Sequence, residues 1–324
     1  MNTHTQFTAP QILNTQRLNQ LQEELRFALG RTDSAELREW AQASAQRTAT
    51  LAMRRISGLA RFVWQVGQSG WKELADLMRA MNDGQGSRHL GNRTAAAIDG
   101  SLDFMRLAAN VLNHLTRALI DRPAETAPQV LAAFLGFYAG SGGLDGDGGI
   151  PDLDLLAGID AHRSILTHSI LAGIVAESLL LATVDLAGRI HGKLPHHRDP
   201  LWDQLAKHAS PAMHNLITGT SSGIAYHLLV DAWIQPAPYH DLPFTMPMES
   251  HQTLMGANAA AEGLHAGRRM GDAIKGMKPF TVEHEQPPKN TTGQQIVEGI
   301  GGLFDDALES ARSAADWLKR QWRG

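Results

Sequence analysis

Apolar side chains recur every three or four residues along most of the chain, which is the spacing typical of amphipathic helices. In residues 11–81, two such series predict helices, the first carried by Leu18, Leu21 and Leu25. The pattern resumes over about 94–138. No segment shows the alternation that predicts a strand. The sequence therefore predicts an all-α protein.

The sharpest change of composition is the segment 140–149, most of whose residues are glycine. Such a run does not sit stably within a helix or a strand, so we expect a loop. Helical patterns return over 160–188 and 221–233, and again over 250–275 after a proline-rich connector. The apolar run 165–186 contains ionisable residues, which are expensive at membrane depth, so we expect a buried core helix there.

These patterns predict three regions. Residues 1–139 form an N-terminal helical region, and residues 140–277 form a helical core. Residues 278–324 begin as a linker with prolines and polar residues and end in an amphipathic helix. The expected architecture is a helical bundle that carries an inter-helix His/Asp metal site.

Composition limits the chemistry and the partners. The chain has 324 residues, a net charge of -4 and no cysteine. Any metal must therefore be held by His, Asp or Glu, and nothing in the overall charge suggests a nucleic-acid partner. The first thirty residues lack the basic and apolar regions of a secretory signal, so we expect a cytoplasmic protein.

Histidines are concentrated in one part of the chain. Eleven of the fifteen lie between His162 and His265, and neutral imidazole is the commonest metal ligand in proteins. Within this part, His227 and Asp231 are four residues apart on a predicted helix, so they share one face. His162 and His168 lie near the start of another apolar helix, where six residues separate them by about 240°.

Two carboxylates, Asp152 and Asp154, follow the glycine-rich loop and suit a divalent cation. Each pattern also has an alternative interpretation: an aspartate-rich turn with a helix cap, hydrogen-bonded core histidines, and a helix-surface hydrogen bond. Further candidate pairs, for which solvation or capping is the alternative, are Glu262 with His265, Glu249 with His251, and His208 with His214.

The order PDLD, HRSILTHS and HLLVDAWIQP resembles the bacterial inner-membrane metal-dependent hydrolase family, which includes LexA-regulated hydrolases. The resemblance covers residues 149–235, about 85 residues. The family pattern has one residue fewer between the first two histidines and a glycine at the place of Ser164. Its members usually span a membrane several times, which we do not carry over. The resemblance implies this set of metal ligands: Asp152, Asp154, His162, His168, His227 and Asp231.

The expected function is hydrolysis of a phosphoester or another ester by a metal-activated water. Zinc is the first choice of metal because the set mixes imidazole and carboxylate, and manganese is the second. Asp154 could act as general base, and Arg163 could stabilise negative charge on a phosphoryl group. The substrate is expected to be a small-molecule or phospholipid ester.

Two alternatives remain open. One is a non-enzymatic helical adaptor with a structural metal site. The other is a protein peripheral to the inner membrane, because Trp and basic residues accompany each other at Arg54–Trp71 and at Trp317–Arg323. Helix packing within a homo-oligomer would explain the same residues.

Overall fold

The computed structural model describes residues 14–158 and 162–276, giving only the backbone for 97–114 and 272–276. The helices in this part of the chain are α1 (Thr15–Gly30), α2 (Ser34–Asn82), α3 (Gly86–Asp121), α4 (Pro123–Ser141), a 3₁₀ helix (Pro151–Ala157), α5 (Ile170–His191), α6 (Pro200–Trp233) and α7 (Met248–Gly276). These described ranges contain no strand, so the predicted all-α class is confirmed. The predicted linker and C-terminal helix lie outside them.

The described residues form two compact units. One contains residues 14–59 and 129–276, and the other contains residues 60–128. The boundaries fall inside α2 and α4. The first unit therefore adds part of the predicted N-terminal region to the predicted core. It contains all the candidate ligands.

The smaller unit consists of the second part of α2, α3 and the start of α4. The Glu73 carboxylate accepts a hydrogen bond from Arg93 and lies 2.8 Å from His89 Nε2. At the other end of α3, the Thr126 hydroxyl donates to the Ala118 carbonyl at 3.0 Å. Such local bonds fix the two helix connections in this unit.

Helix α5 begins ten residues later than the sequence pattern indicates. Ser169 is its N-cap, and the Ser169 hydroxyl accepts a hydrogen bond from Leu171 N at 3.1 Å. The preceding residues 162–169 are turns, because Asp154 takes the Ser164 amide and the Thr167 hydroxyl as hydrogen-bond donors. The prediction of helix from residue 160 was therefore wrong, and both candidate histidines of this segment precede the helix.

Helices α4 and α6 run parallel and pack through glycines. A Cβ added at Gly136 would overlap the Leu216 carbonyl, and one added at Gly223 would overlap the Phe137 carbonyl. Two helices that approach through small residues can bring their backbones into contact. This packing carries the C-terminal end of α4 to the side of His227 on α6.

Helix α7 returns antiparallel along α6, and the N-terminal half of α5 completes the core. Ala172, Ile224, Leu228 and Ala259 form a buried cluster from these three helices. The cluster is fully apolar. It lies directly beside the segment of α6 that carries His227 and Asp231.

The predicted buried core helix, α5, is buried only in part. It is long and apolar enough to cross a membrane, and 28% of its apolar window is buried. All of its buried residues lie between Ile170 and Glu177, and Leu179 is 63% exposed. Core helices of soluble proteins pass the same test of length and composition, so α5 alone is weak evidence for membrane association.

Candidate metal centre

Four side-chain atoms converge between the 3₁₀ helix, the turn before α5, and α6. His168 Nε2 lies 3.4 Å from Asp152 Oδ1 and 3.4 Å from Asp231 Oδ2. His227 Nε2 lies 3.5 Å from the same Asp152 oxygen and 3.4 Å from the same Asp231 oxygen. All four side chains are at most 9% exposed. Two imidazoles and two carboxylates therefore meet in a buried space.

The four His–Asp distances are close to the edges of a tetrahedral coordination shell. His168, His227 and Asp231 form one candidate set of metal ligands, and Asp152 belongs with His162 and His168 to a second. With ligand bonds of about 2.0–2.1 Å, the edge of a coordination tetrahedron measures roughly 3.3–3.4 Å. The same four atoms are buried and have no hydrogen-bond partner among the described residues. Buried polar atoms are normally satisfied, so four orphaned atoms facing one another indicate a site for a cation.

In three of these four side chains, the second carboxylate oxygen or ring nitrogen, which faces away from the centre, has a hydrogen-bond partner in the surrounding protein. Gly148 N donates to Asp152 Oδ2 at 2.5 Å, and Arg163 donates to Asp231 Oδ1 at 3.0 Å. His227 Nδ1 lies 3.3 Å from the Ser141 carbonyl, so Nδ1 carries the proton and Nε2 is left free. The glycine-rich loop thus supplies a backbone amide to one ligand.

His168 is oriented by a short chain of hydrogen bonds. Its Nδ1 lies 3.0 Å from the Thr167 hydroxyl, which donates to Asp154 Oδ2 at 2.6 Å. Asp154 Oδ2 also accepts the Ser164 amide at 3.0 Å. Of the two predicted aspartate ligands, Asp152 faces the centre directly, whereas Asp154 lies on the Nδ1 side of His168 and orients it through Thr167.

His162 and Arg163 lie on the more open side of the centre. His162 Nδ1 is 3.3 Å from Asp154 Oδ1 and 3.6 Å from Asp152 Oδ1, and its side chain is 19% exposed. Arg163 has φ of 61°, the only positive value at a non-glycine residue in the described part of the chain. A non-glycine residue in this conformation costs about 1–3 kcal/mol, and such strained residues cluster at functional sites.

The electrostatics of the cluster favour a cation. Burial disfavours protonation of His168, but the Asp152 and Asp231 carboxylates outweigh it and raise the pKa of His168. Burial also opposes ionisation of Asp231, yet His168, His227 and Arg163 together lower the pKa of that carboxyl. The pKa of Asp152 is also lowered, by His168, His227 and the Gly148 amide acting against burial, so both carboxylates are ionised at neutral pH. The negative potential that favours a proton on His168 also favours a divalent ion.

The candidate pair Glu262 and His265 lies away from this centre, in a buried ion-pair network. Glu262 bonds to Arg55, which is also 3.3 Å from Glu177. His265 Nε2 is 2.9 Å from Glu177, and the Arg269 side chain contacts the same carboxylate. Two arginines balance the two carboxylates, so this pair serves the packing of α2 against α5 and α7.

The other two candidate pairs are also outside the centre. His251 Nδ1 accepts a hydrogen bond from Tyr239 N at 3.1 Å, and Glu249 lies in the first turn of α7. His214 lies on α6 beside Arg269. His208 lies on α6, further towards its N-terminus.

Sequence reasoning missed several residues that hold the ligands in place. Thr167 and Ser141 orient the two histidines, and the Tyr239 hydroxyl donates to the His168 carbonyl at 2.6 Å. Thr167 is part of the HRSILTHS motif and could have been singled out as a hydroxyl beside a ligand. Ser141 acts through its backbone, so its role carries no side-chain signal.

Comparison with models of known protein families finds no match, and comparisons with curated proteins and with solved structures find none. The resemblance to the inner-membrane hydrolases therefore stays an expectation based on three motifs. The convergence of the four ligand atoms is independent of it.

Proposed function

We propose that the protein is a metal-dependent hydrolase that cleaves a phosphoester or another ester. The observation that supports this proposal is the group of buried, unpartnered atoms from Asp152, His168, His227 and Asp231. An ion held by the three-residue set His168, His227 and Asp231 would keep a position for water, as catalytic zinc does. We favour zinc because two imidazoles and two carboxylates at this spacing suit it, with manganese as the second choice.

Asp152, His168, His227 and Asp231 would hold a divalent ion, which would lower the pKa of a bound water and polarise an ester oxygen. The side chains that would act on the substrate, His162 and Arg163, lie on the more open side of the centre. His162 is held by Asp154 through Nδ1, which leaves Nε2 to take the proton of an attacking water. Asp154 thereby acts through His162 and not as the base itself. Its Oδ2 already accepts two hydrogen bonds.

Arg163 supplies positive charge for an anionic substrate. One guanidinium nitrogen bonds to Asp231, while the buried Nε has no partner within the described ranges. A buried donor of this kind can bind a phosphoryl oxygen and stabilise the charge that develops on it. The hydrogen bond to Asp231 holds the guanidinium beside the centre.

The experiment that tests the proposal measures metal content and turnover in the same variants. His227→Ala and Asp231→Ala should lose both, whereas His162→Ala should keep the metal and lose turnover. Glu262→Gln, in the separate ion-pair network, should keep both. The screen should include phosphomonoesters, phosphodiesters and phospholipids with zinc or manganese, and circular dichroism should confirm that each variant is helical.

A structural metal site in a non-enzymatic adaptor is the second candidate. The observation in its favour is that four buried protein atoms converge, and structural zinc sites have four protein ligands, whereas catalytic zinc normally has three and a water. It becomes the better account if the parent protein binds metal stoichiometrically, His162→Ala changes nothing, and no ester in the screen is hydrolysed.

A further inference from the structure

The second part of α2 contains a stretch that is exposed on every side. All ten residues 63–72 are exposed, which is the longest such run among the residues whose side chains are described. The stretch includes Gly67 and Gly70, and glycine weakens a helix by about 1 kcal/mol relative to alanine. Helices in proteins owe most of their stability to packing and little to propensity. We therefore expect this stretch of α2 to have a partner.

Large apolar side chains form a stripe along this part of α2. Trp64 is 68% exposed and Trp71 is 75% exposed. The stripe continues beyond Trp71, and its positions alternate at intervals of three and four residues. This alternation is the spacing of the seam between two paired helices. We call the following residues the α2 seam: Trp64, Gly67, Trp71, Leu74, Met78 and Met81.

The charges beside the two tryptophans of the seam are of one sign. Arg61 and Lys72 lie at either end of this pair, and the sequence has no Asp or Glu in residues 40–72. The next two acids of α2, Glu73 and Asp76, are each bonded to an arginine. A second copy of this helix would therefore bring like charges together. An acidic amphipathic helix would complement both the seam and its bases.

Exposed apolar side chains also occur elsewhere, but they lie among different charges. On α4, Leu131, Phe134 and Tyr138 are each more than half exposed, and the one charged residue of that helix is Glu125. That face has no base to attract an acidic partner. The exposed apolar residues of α1 lie among both acids and bases. Bases without acids therefore distinguish the α2 seam from these two faces.

The sequence predicts an acidic amphipathic helix in the C-terminal segment of this same chain. Between Lys289 and Arg312 the segment has four acids and no base. Apolar residues recur in it every three or four positions: Val297, Ile300, Phe304, Leu308 and Ala311. Residues 277–293 connect it to α7, and a flexible tether gives an effective concentration on the order of millimolar. The chain therefore supplies its own complementary partner.

We propose that the predicted C-terminal helix, residues 294–322, packs along the α2 seam of the same chain. Its apolar residues cover Trp64 and Trp71, and its acids lie beside Arg61 and Lys72. This interaction is independent of the proposed hydrolase function, because none of the candidate metal ligands belongs to either helix.

The test uses thiol labelling of the full-length protein, because a chain without cysteine gives no background. Gly67→Cys places a thiol on the seam, where an added Cβ meets no atom within 4 Å. Ser69→Cys is the matched control, because it lies about 200° further round the same helix and is also exposed. A maleimide should label Gly67→Cys about 100-fold more slowly than Ser69→Cys, since burial of two large apolar side chains holds the C-terminal helix over the seam.

Two double variants of the C-terminal helix complete the test, each made in both thiol backgrounds. Phe304→Asp/Leu308→Asp should make the two labelling rates equal, because it disrupts the apolar face. Ser310→Asp/Ser313→Asp adds the same charges on the polar face and should keep the difference. Equal rates in the parent, or a difference that survives Phe304→Asp/Leu308→Asp, would overturn the proposal. So would protection of Gly67→Cys that disappears on dilution, which indicates a second copy, or that requires anionic vesicles, which indicates a lipid surface.

Discussion

Thr167→Val removes one hydroxyl from the candidate centre and leaves the side-chain shape unchanged. The Thr167 oxygen lies 3.0 Å from His168 Nδ1 and donates to Asp154 Oδ2 at 2.6 Å. The variant removes the nearer of the two oxygens at His168 Nδ1, which helps to fix the ring and its tautomer, and leaves Asp154 Oδ2 at 3.4 Å. Loss of such an outer partner lowers metal affinity about 10- to 100-fold, or roughly 1.4–2.8 kcal/mol.

Isothermal titration of the metal-depleted protein with zinc, in competition with a chelator of known affinity, measures this loss. Thr218→Val is the matched control, because the Thr218 hydroxyl bonds only within its own helix, to the His214 carbonyl at 2.9 Å. Zinc affinity equal to that of the parent in Thr167→Val would refute the proposed orientation of His168. A loss of equal size in Thr218→Val would show that the effect is a general loss of stability.

Two further predictions concern the rest of the chain. Arg55→Met leaves the buried Glu177 and Glu262 without a cation and should cost about 3–5 kcal/mol in urea unfolding, whereas Arg54→Met, on the exposed face, should cost little. Burial raises the pKa of Glu262 from 4.5 to about 7. Between these two pH values the folded protein keeps a proton that the unfolded chain releases, so the free energy of unfolding falls as the pH rises. Because Arg55 opposes this shift, the loss of stability in Arg55→Met should be larger at about pH 8 than at about pH 5, and a loss independent of pH would contradict the assignment. Truncation after Lys289 should leave the zinc content unchanged, because all four converging atoms belong to residues from Asp152 to Asp231. A truncated protein that is folded but contains no metal would show that the tail completes the site.

The all-α fold was predictable because helical periodicity persists through α1 to α7. The start of α5 was not, because residues 160–169 are as helix-compatible in composition as those that follow. The described residues 162–169 instead form turns, in which Asp154 accepts hydrogen bonds from the Ser164 amide and the Thr167 hydroxyl. Such a tertiary contact overrides local preference and leaves no periodic signal.

The candidate ligands could be predicted from residue type and spacing, because His227 and Asp231 are four residues apart and therefore share one face of a helix. The distinction between Asp152 and Asp154 depends on which carboxylate the Gly148 amide and the Thr167 hydroxyl reach, and no spacing rule gives it. The close approach of α4 to α6 has a partial signal in the sequence, because Gly136 and Gly140, and Gly219 and Gly223, each have the G-x-x-x-G spacing that permits helix backbones to touch. The spacing does not say which helices pair.

The central claim is that one divalent ion is held by Asp152, His168, His227 and Asp231. Zinc K-edge X-ray absorption on the untagged protein, combined with elemental analysis, tests it most directly. The account predicts one zinc per chain with two imidazole nitrogens and two carboxylate oxygens at about 2.0–2.2 Å. Absence of zinc after dialysis against zinc and manganese, or zinc bound by a single imidazole, would contradict it.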